Sequence, residues 1–250
     1  MKIKIFSIVL LVLLATTSVC SCDVNLDPDF GPEIWIDDIQ YREEEEGIYN
    51  ILWIQDKNRE DNVIYVPDMI GDKIVNRIGG WSEKFIDRSY SFAADISHTE
   101  IVYFPWSIER VCYDSTWFSS EGECPLKYII SATTANEVDR GHPDYWQSVA
   151  PRVAYLRGYS DLPENIAYFF NYEENTNNGY FFVDLLEESG KLTKPPYDPR
   201  REGYTFAGWY KDAECTEQWD FENDEVIISF DEEQNRIYEE ICLYAKWIAE

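Results

Sequence analysis

Basic residues are few in this chain: Lys and Arg number 21 against 48 Asp and Glu, leaving a net charge of −27. A surface of that sign repels phosphate backbones, which argues against nucleic acid as a partner. Histidine is scarcer still, with 2 in 250 residues. His98 sits in "DISHTE" and His142 in "RGHPD". Neither has a Cys or a second His at ligand spacing, and zinc needs several converging ligands, so both read as solvated loop residues. There is no G-x-S-x-G elbow, P-loop or G-x-G-x-x-G turn. The acidic excess contains no D-x-[DN]-x-[DN]-G calcium loop. Among 48 acidic residues some carboxylate pair will lie about 5 Å apart by accident, so a glycosidase reading gains nothing from such a pair. The sequence therefore offers no catalytic residue, no metal ligand and no cofactor site.

What is present is apolar and aromatic. Hydrophobic residues make up 45% of the chain and aromatics 16%, enough to build cores. The N-terminus carries Lys2 and Lys4, an apolar run from Ile5 to Leu14, and then "ATTSVCSC". This is the pattern of a secretory signal, and the run is too short for a membrane span. The two cysteines resemble a bacterial lipobox. Cys22 fits it better, with Val19 at −3 and Ser21 at −1; Cys20 is the alternative, with the bulky Val19 at −1. Residues 1–22 are thus expected to be a lipoprotein signal peptide, with export to the cell envelope and membrane attachment through the lipid alone. An exported compartment permits disulfides among Cys112, Cys124, Cys215 and Cys242. Proximity suggests Cys112–Cys124 and Cys215–Cys242, but spacing does not determine connectivity, and free thiols remain an alternative.

"DVNLDPDFGPE" reads as a polar tether over 23–33. From Ile34, two extended runs flank an acidic turn that ends in Gly47, which predicts a β-hairpin. A phrase then recurs: "VIYVPDMIGDKIVNRIG", "IVYFPWSIERV", "LKYIISATTANEV" and a truncated "RVAYLRGY". Its strand ends, Val66, Phe104, Ile130 and Tyr155, are 38, 26 and 25 residues apart by subtraction. The shorter intervals approach a leucine-rich solenoid period. Between the phrases lie "WSEKF", "STWF" and "PDYW", each expected to pack an aromatic beneath its strand.

This region, 34–160, resembles the BspA-type leucine-rich repeats of bacterial surface proteins. The family's opening hairpin and its V-I-P-x-x-I-x-G-K-x-V-x-x-I-G phrase are matched by residues 63–79. Its A-F-x-x-C-x-x-L-x-x-I phrase is echoed by Trp117, Phe118, Cys124, Leu126 and Ile129.

From Glu164 the pattern changes. Ile166, Tyr168, Phe170 and Tyr172 alternate on one face, "NTNNG" turns the chain, and Tyr180 to Leu186 return. "TKPPYDPRREGY" is a Pro-rich connection, and "EICLYAKWIAE" is a closing strand. Residues 164–250 are similar to the Listeria–Bacteroides repeat, the internalin-type B repeat. The linked motifs are Pro199, "REGYTFAGWYKD", Trp219–Phe221 and Leu243–Trp247. The resemblance implies a β-grasp-like module of surface proteins whose core signature is Gly203, Tyr204, Phe206, Gly208, Trp209, Trp219, Phe221, Leu243, Tyr244 and Trp247. Within "REGYTFAGWYKD", Trp209 lies three residues beyond Phe206, so a bulge at Ala207–Gly208 is needed to return it to the core side. "NDEVIISFDEEQNRIYEE" is longer than usual before the closing strand, which predicts a loop or an extra strand there.

The expected fold is mainly β: a short irregular leucine-rich-repeat solenoid with an N-terminal hairpin cap, then a small β-grasp-like domain. The expected function is adhesion or protein–protein interaction at the bacterial surface, without enzymatic activity. The alternatives are a carbohydrate-binding envelope lipoprotein and, behind it, a hydrolase. Partners would be a host or bacterial surface protein or a glycan. Trp81, Trp106, Trp117 and Trp146 sit in connecting segments and are the candidate binding aromatics.

Overall fold

The computed structural model describes residues 31–45, 47–79, 92–111, 115–132, 166–172, 179–186, 189–234, 236–237 and 241–250. The leader with Cys20 and Cys22, together with Trp81, Cys112, His142, Trp146 and "RVAYLRGY", lies outside the described residues. Every regular element described is a strand, so the chain is mainly β.

The first extended run does not form a single strand. It folds into β1 (Glu33–Ile36) and β2 (Ile39–Glu45), paired antiparallel, and β2 pairs with β3 (Ile48–Gln55) across the expected acidic turn. The additional reversal is at Asp37 and Asp38, with φ of 47° and 65°. Both central residues at positive φ is the geometry of a tight I′ hairpin, usually signalled by Asn-Gly or Asp-Gly. Here the Asp38 carboxylate is held from outside, accepting from Asn58 Nδ2 at 2.6 Å and Gln55 Nε2 at 3.3 Å.

Beyond β3 the chain runs repeatedly between two sheets. After β4 (Val63–Tyr65) and β5 (Met69–Ile70), β6 (Lys73–Ile78) pairs parallel with the first half of β3. β7 (Phe92–Asp95) pairs parallel with its second half. After β8 (Ile101–Phe104), β9 (Arg110–Val111) and β10 (Ser115–Phe118) extend β6 and β7 in turn. Together with β1, β2 and β5 these strands form one 8-stranded sheet. β4, β8 and β11 (Tyr128–Ser131) form a separate parallel ladder.

The short ladder is buried on both faces, as suits parallel strands that read as unbroken apolar runs. Ile64, Val102 and Ile129 are in register and point into a core shared with Ile51, Ile54, Val75 and Phe92 of the large sheet. Tyr65, Tyr103 and Ile130 are in register on the opposite face and join a second core. The recurrence anticipated from sequence is therefore one residue out in its third copy. Ile130 lies beside Tyr103, and it is Ser131 that lies beside Phe104. Strand side chains alternate, so that single step decides which core each residue enters.

The second core belongs mainly to the C-terminal segment. β12 (Ile166–Phe169), β13 (Tyr180–Asp184), β14 (Tyr204–Tyr210) and β17 (Ile241–Ala249) form a 4-stranded sheet in the order β13-β12-β17-β14. The central pair, β12 and β17, is parallel, and both outer pairs are antiparallel. The long segment before the closing strand contains a separate hairpin, β15 (Ser229–Phe230) with β16 (Arg236–Ile237).

Candidate functional site

Successive passes of the N-terminal region are joined by aspartates at strand ends. Asp56, just after β3, is wholly buried. Its carboxylate accepts the backbone N–H groups of Ser97, His98 and Thr99 at 2.8–3.0 Å, and the Ser97 hydroxyl at 3.0 Å. Burial by itself would raise this carboxyl, but the N–H groups of His98, Ser97 and Thr99 outweigh it and hold the pKa at about 2. Asp95, at the end of β7, repeats the device one pass later by accepting Ser120 N at 2.7 Å. His98 is fixed through its backbone to this hub, and its Nδ1 lies 3.4 Å from Asp56. Among the described residues no group of His, Cys, Asp and Glu is arranged to hold a metal ion.

The C-terminal sheet meets the short ladder across an aromatic seam. Tyr65 stacks on Tyr103 at 4.7 Å, and Tyr103 stacks on Phe182 of β13 at 5.3 Å. The Tyr103 hydroxyl donates to Asp184 at 2.7 Å, an 81-residue separation that sequence pattern could not signal. Trp106, in the turn after β8, makes an edge contact with Phe170 at 5.0 Å and donates its indole N–H to Asp68 at 3.3 Å. Asp68 is buried and its carboxyl is pushed up by that burial, which the Trp106 bond and the Arg200 charge only partly offset. Arg200 also crosses the seam to Met69 Sδ at 3.1 Å. Trp106 therefore lies in an internal joint. For Trp117 the backbone lies in β10, and its side chain is outside the described part of the chain.

The glycine-aromatic signature sits in β14 and the elements around it. Opposite β17, Phe206 pairs with Trp247 and Trp209 with Ala245, so β14 carries one extra residue. That is the bulge the spacing requires, and Gly208 occupies it at φ 116°. Trp209 then turns inward, stacked on Phe181 at 5.7 Å and edge-on to Tyr168 at 5.0 Å. Trp209, Trp219 and Leu243 are buried, and Phe206, Phe221 and Trp247 pack against them. Gly203 takes φ 74° in the turn entering β14. Tyr204 and Tyr244 lie outside this cluster. The Arg201 guanidinium covers the Tyr204 ring at 3.8 Å, and Tyr244 stacks on Phe169 at 5.3 Å. Cys124 and Cys215 carry free thiols, each half-buried, and burial pushes both up. Cys242 is half-buried in β17.

The described surface exposes few large apolar side chains: Trp35, Ile227, Phe230 and Ile248. Ile227 and Phe230 are neighbours in the excursion before β17, a segment whose sequence suggested only an extra loop or strand.

No solved structure matches the chain significantly. Two proteins of Evansella cellulosilytica, "Putative Gly-rich membrane protein" and "Putative membrane protein", are each 26% identical to it over 182 residues, 68% of this chain. The chain spans only 20% of the first relative's length and 26% of the second's. The segment built around the β14 bulge, residues 168–246, matches the family described as the Listeria-Bacteroides repeat domain.

Proposed function

We propose that the chain is a non-enzymatic protein of the bacterial cell surface, acting in adhesion or protein–protein interaction and held to the membrane by a lipid on Cys22. The observation that carries this reading is the match of residues 168–246 to the Listeria-Bacteroides repeat domain, with its aromatic signature packed as a core. The names of the two relatives are in keeping with an envelope location. Residues 34–160 form a short leucine-rich-repeat solenoid of the BspA type in this reading. The parallel ladder β4-β8-β11, with registers 38 and then 27 residues apart by subtraction, supports it. Residues 164–250 form a β-grasp-like module, which the order β13-β12-β17-β14 around a parallel central pair supports. Trp106 is engaged by Asp68 and Phe170, so it gives no support to a glycan-binding alternative.

The test is on cells. A palmitate analogue fed to the bacterium should label the wild type and leave Cys22→Ser unlabelled, and protease added to intact cells should remove the protein. Labelling that survives the substitution would move the anchor to Cys20 or elsewhere. Resistance to protease in intact but not lysed cells would refute surface display.

A further inference from the structure

Four aspartates are buried in the described chain: Asp56, Asp68, Asp95 and Asp184. Three of them hold backbone donors. Asp56 accepts three N–H groups and a hydroxyl. Asp95 accepts Ser120 N at 2.7 Å, and Asp184 accepts Leu185 N at 2.8 Å besides the Tyr103 hydroxyl. Asp68 is supplied differently. Its hydrogen bond comes from the neutral Trp106 indole, at 3.3 Å. Its own N–H and that of Met69 add only weak support. Arg200 attracts it through its charge, while the Arg200 Nη1 donates to Met69 Sδ at 3.1 Å. A buried carboxylate short of donors is destabilised as an anion, whereas its protonated form asks less of its surroundings.

The place of Asp68 in the fold gives that shortage a consequence. It lies in the link between β4 and β5, on the N-terminal side of the seam. Trp106, its donor, packs edge-on against Phe170 just beyond β12. Tyr197 and Arg200 bear on it from the Pro-rich connection between β13 and β14. The Tyr197 ring packs edge-on against Phe181 at 5.4 Å. Burial, and after it the Asp68 charge, pushes the Tyr197 hydroxyl far up, so it stays protonated. Lys194 and Asp198 of the same connection are exposed and pair with each other at 3.9 Å. Lys73, beyond β5, is bonded to Glu43. Opening the seam would separate Asp68 from Trp106 and Tyr197 and return it to water, where a carboxylate needs no protein donor.

We propose that Asp68 is a proton-operated latch: the joint between the N-terminal sheets and the C-terminal sheet tightens when Asp68 takes up a proton and slackens when it ionises. Burial raises this carboxyl above its ordinary 3.8, and Trp106, Arg200 and the two N–H groups lower it by less. The contribution of the site to closure is therefore complete below pH 3.8 and is lost as pH rises through the higher folded value.

The test uses the chain from residue 23 onward, compared between about pH 3.5 and about pH 7. Two readings are taken: the urea midpoint, and the NMR signal of the Trp106 indole N–H, identified by its loss in Trp106→Phe. Asp68→Asn keeps an acceptor for the indole and cannot ionise. Its midpoint should match the wild type at the acid end and exceed it by at least about 0.3 M at neutral pH. The wild-type indole signal should move over the interval in which that gap opens, and stay fixed in Asp68→Asn. Arg200→Gln removes the attracting charge from an exposed position, so it should lower the midpoint more at neutral pH than in acid. A gap between wild type and Asp68→Asn that is the same at both ends would make Asp68 purely structural and overturn the proposal. So would an indole signal that does not titrate. A wild type more stable than Asp68→Asn at neutral pH alone would show the donors outweighing burial, and would overturn it too. If Asp68→Asn does not fold, the wild-type indole titration and the Arg200→Gln comparison decide by themselves.

Discussion

Replacing Asp56 by Asn is the sharpest perturbation of the N-terminal region. Asn keeps the shape and removes the charge. One amide oxygen can still accept His98 N and Thr99 N, which both point at Oδ2. Ser97 N donates to both oxygens, 2.9 Å from Oδ2 and 3.0 Å from Oδ1, so in Asn it keeps the Oδ2 half of its bond and faces the amide nitrogen, itself a donor, at the Oδ1 position. The carboxyl titrates at about 2 in the folded chain against an ordinary 3.8. That difference corresponds to about 2 kcal/mol at neutral pH, with little screening because the side chain is excluded from solvent. Setting a donor against the Ser97 N–H, which keeps only half of its shared bond, adds about 1 kcal/mol, for a total of about 3 kcal/mol. With an m-value of about 2 kcal/mol/M, the urea midpoint should fall by about 1.5 M at pH 7. The folded pKa lies below the unfolded one. The charge-dependent part is therefore complete above about pH 4 and is lost as pH falls through about 2. The stability gap between wild type and variant, followed by tryptophan fluorescence, should narrow by about 2 kcal/mol over that interval. Equal midpoints at pH 7 would refute the hub. A gap that keeps its full size near pH 2 would refute the electrostatic account of it.

Trp106→Ala should cost about 2–4 kcal/mol in urea unfolding, because it opens a cavity against Phe170 and takes the indole donor away from buried Asp68; an unchanged midpoint would remove Trp106 from the joint. Tyr103→Phe keeps the stacked ring and deletes only the bond to Asp184, so a loss of about 1–3 kcal/mol is expected from the same measurement. Gly208→Ala places a methyl at φ 116° with Gln218 Nε2 2.7 Å away, and should destabilise the fold by about 1–3 kcal/mol through backbone strain, since the Gln side chain can move. Residues 164–250 expressed alone should be less stable than within the chain, because Ile166, Tyr168 and Phe182 share a core with Tyr103 and Ile130. An isolated segment with the urea midpoint of the whole chain would show that the seam contributes nothing.

Local pattern was the legible part of this chain. The alternation of Ile166, Tyr168 and Phe170 located β12, and the three-residue step from Phe206 to Trp209 located a bulge, because both depend on neighbouring residues. The recurring phrase located β4, β8 and β11 but misplaced the third by one residue, since an unbroken apolar run such as "YIIS" has no period from which to read a face. The turn at Asp37–Asp38 was missed because it lacks glycine and depends on Asn58 and Gln55 from further along the chain. The seam was least legible. Nothing near Tyr103 marks Asp184 as its partner, and Trp106 looked exposable only because the sheet that covers it lies elsewhere in the sequence.

The pairing of β12 with β17 has a mechanical consequence. The two strands are parallel neighbours, with Ile166 opposite Ile241 and Phe169 opposite Tyr244. The chain enters β12 at its N-terminal end and leaves β17 at its C-terminal end. Tension applied between the N-terminal side and the C-terminus therefore pulls the two strands in opposite directions along their own axes. Their hydrogen bonds are loaded in shear, all together, rather than peeled apart one after another. A module tethered in this way resists extension at its centre, and gives way only when the whole ladder fails at once.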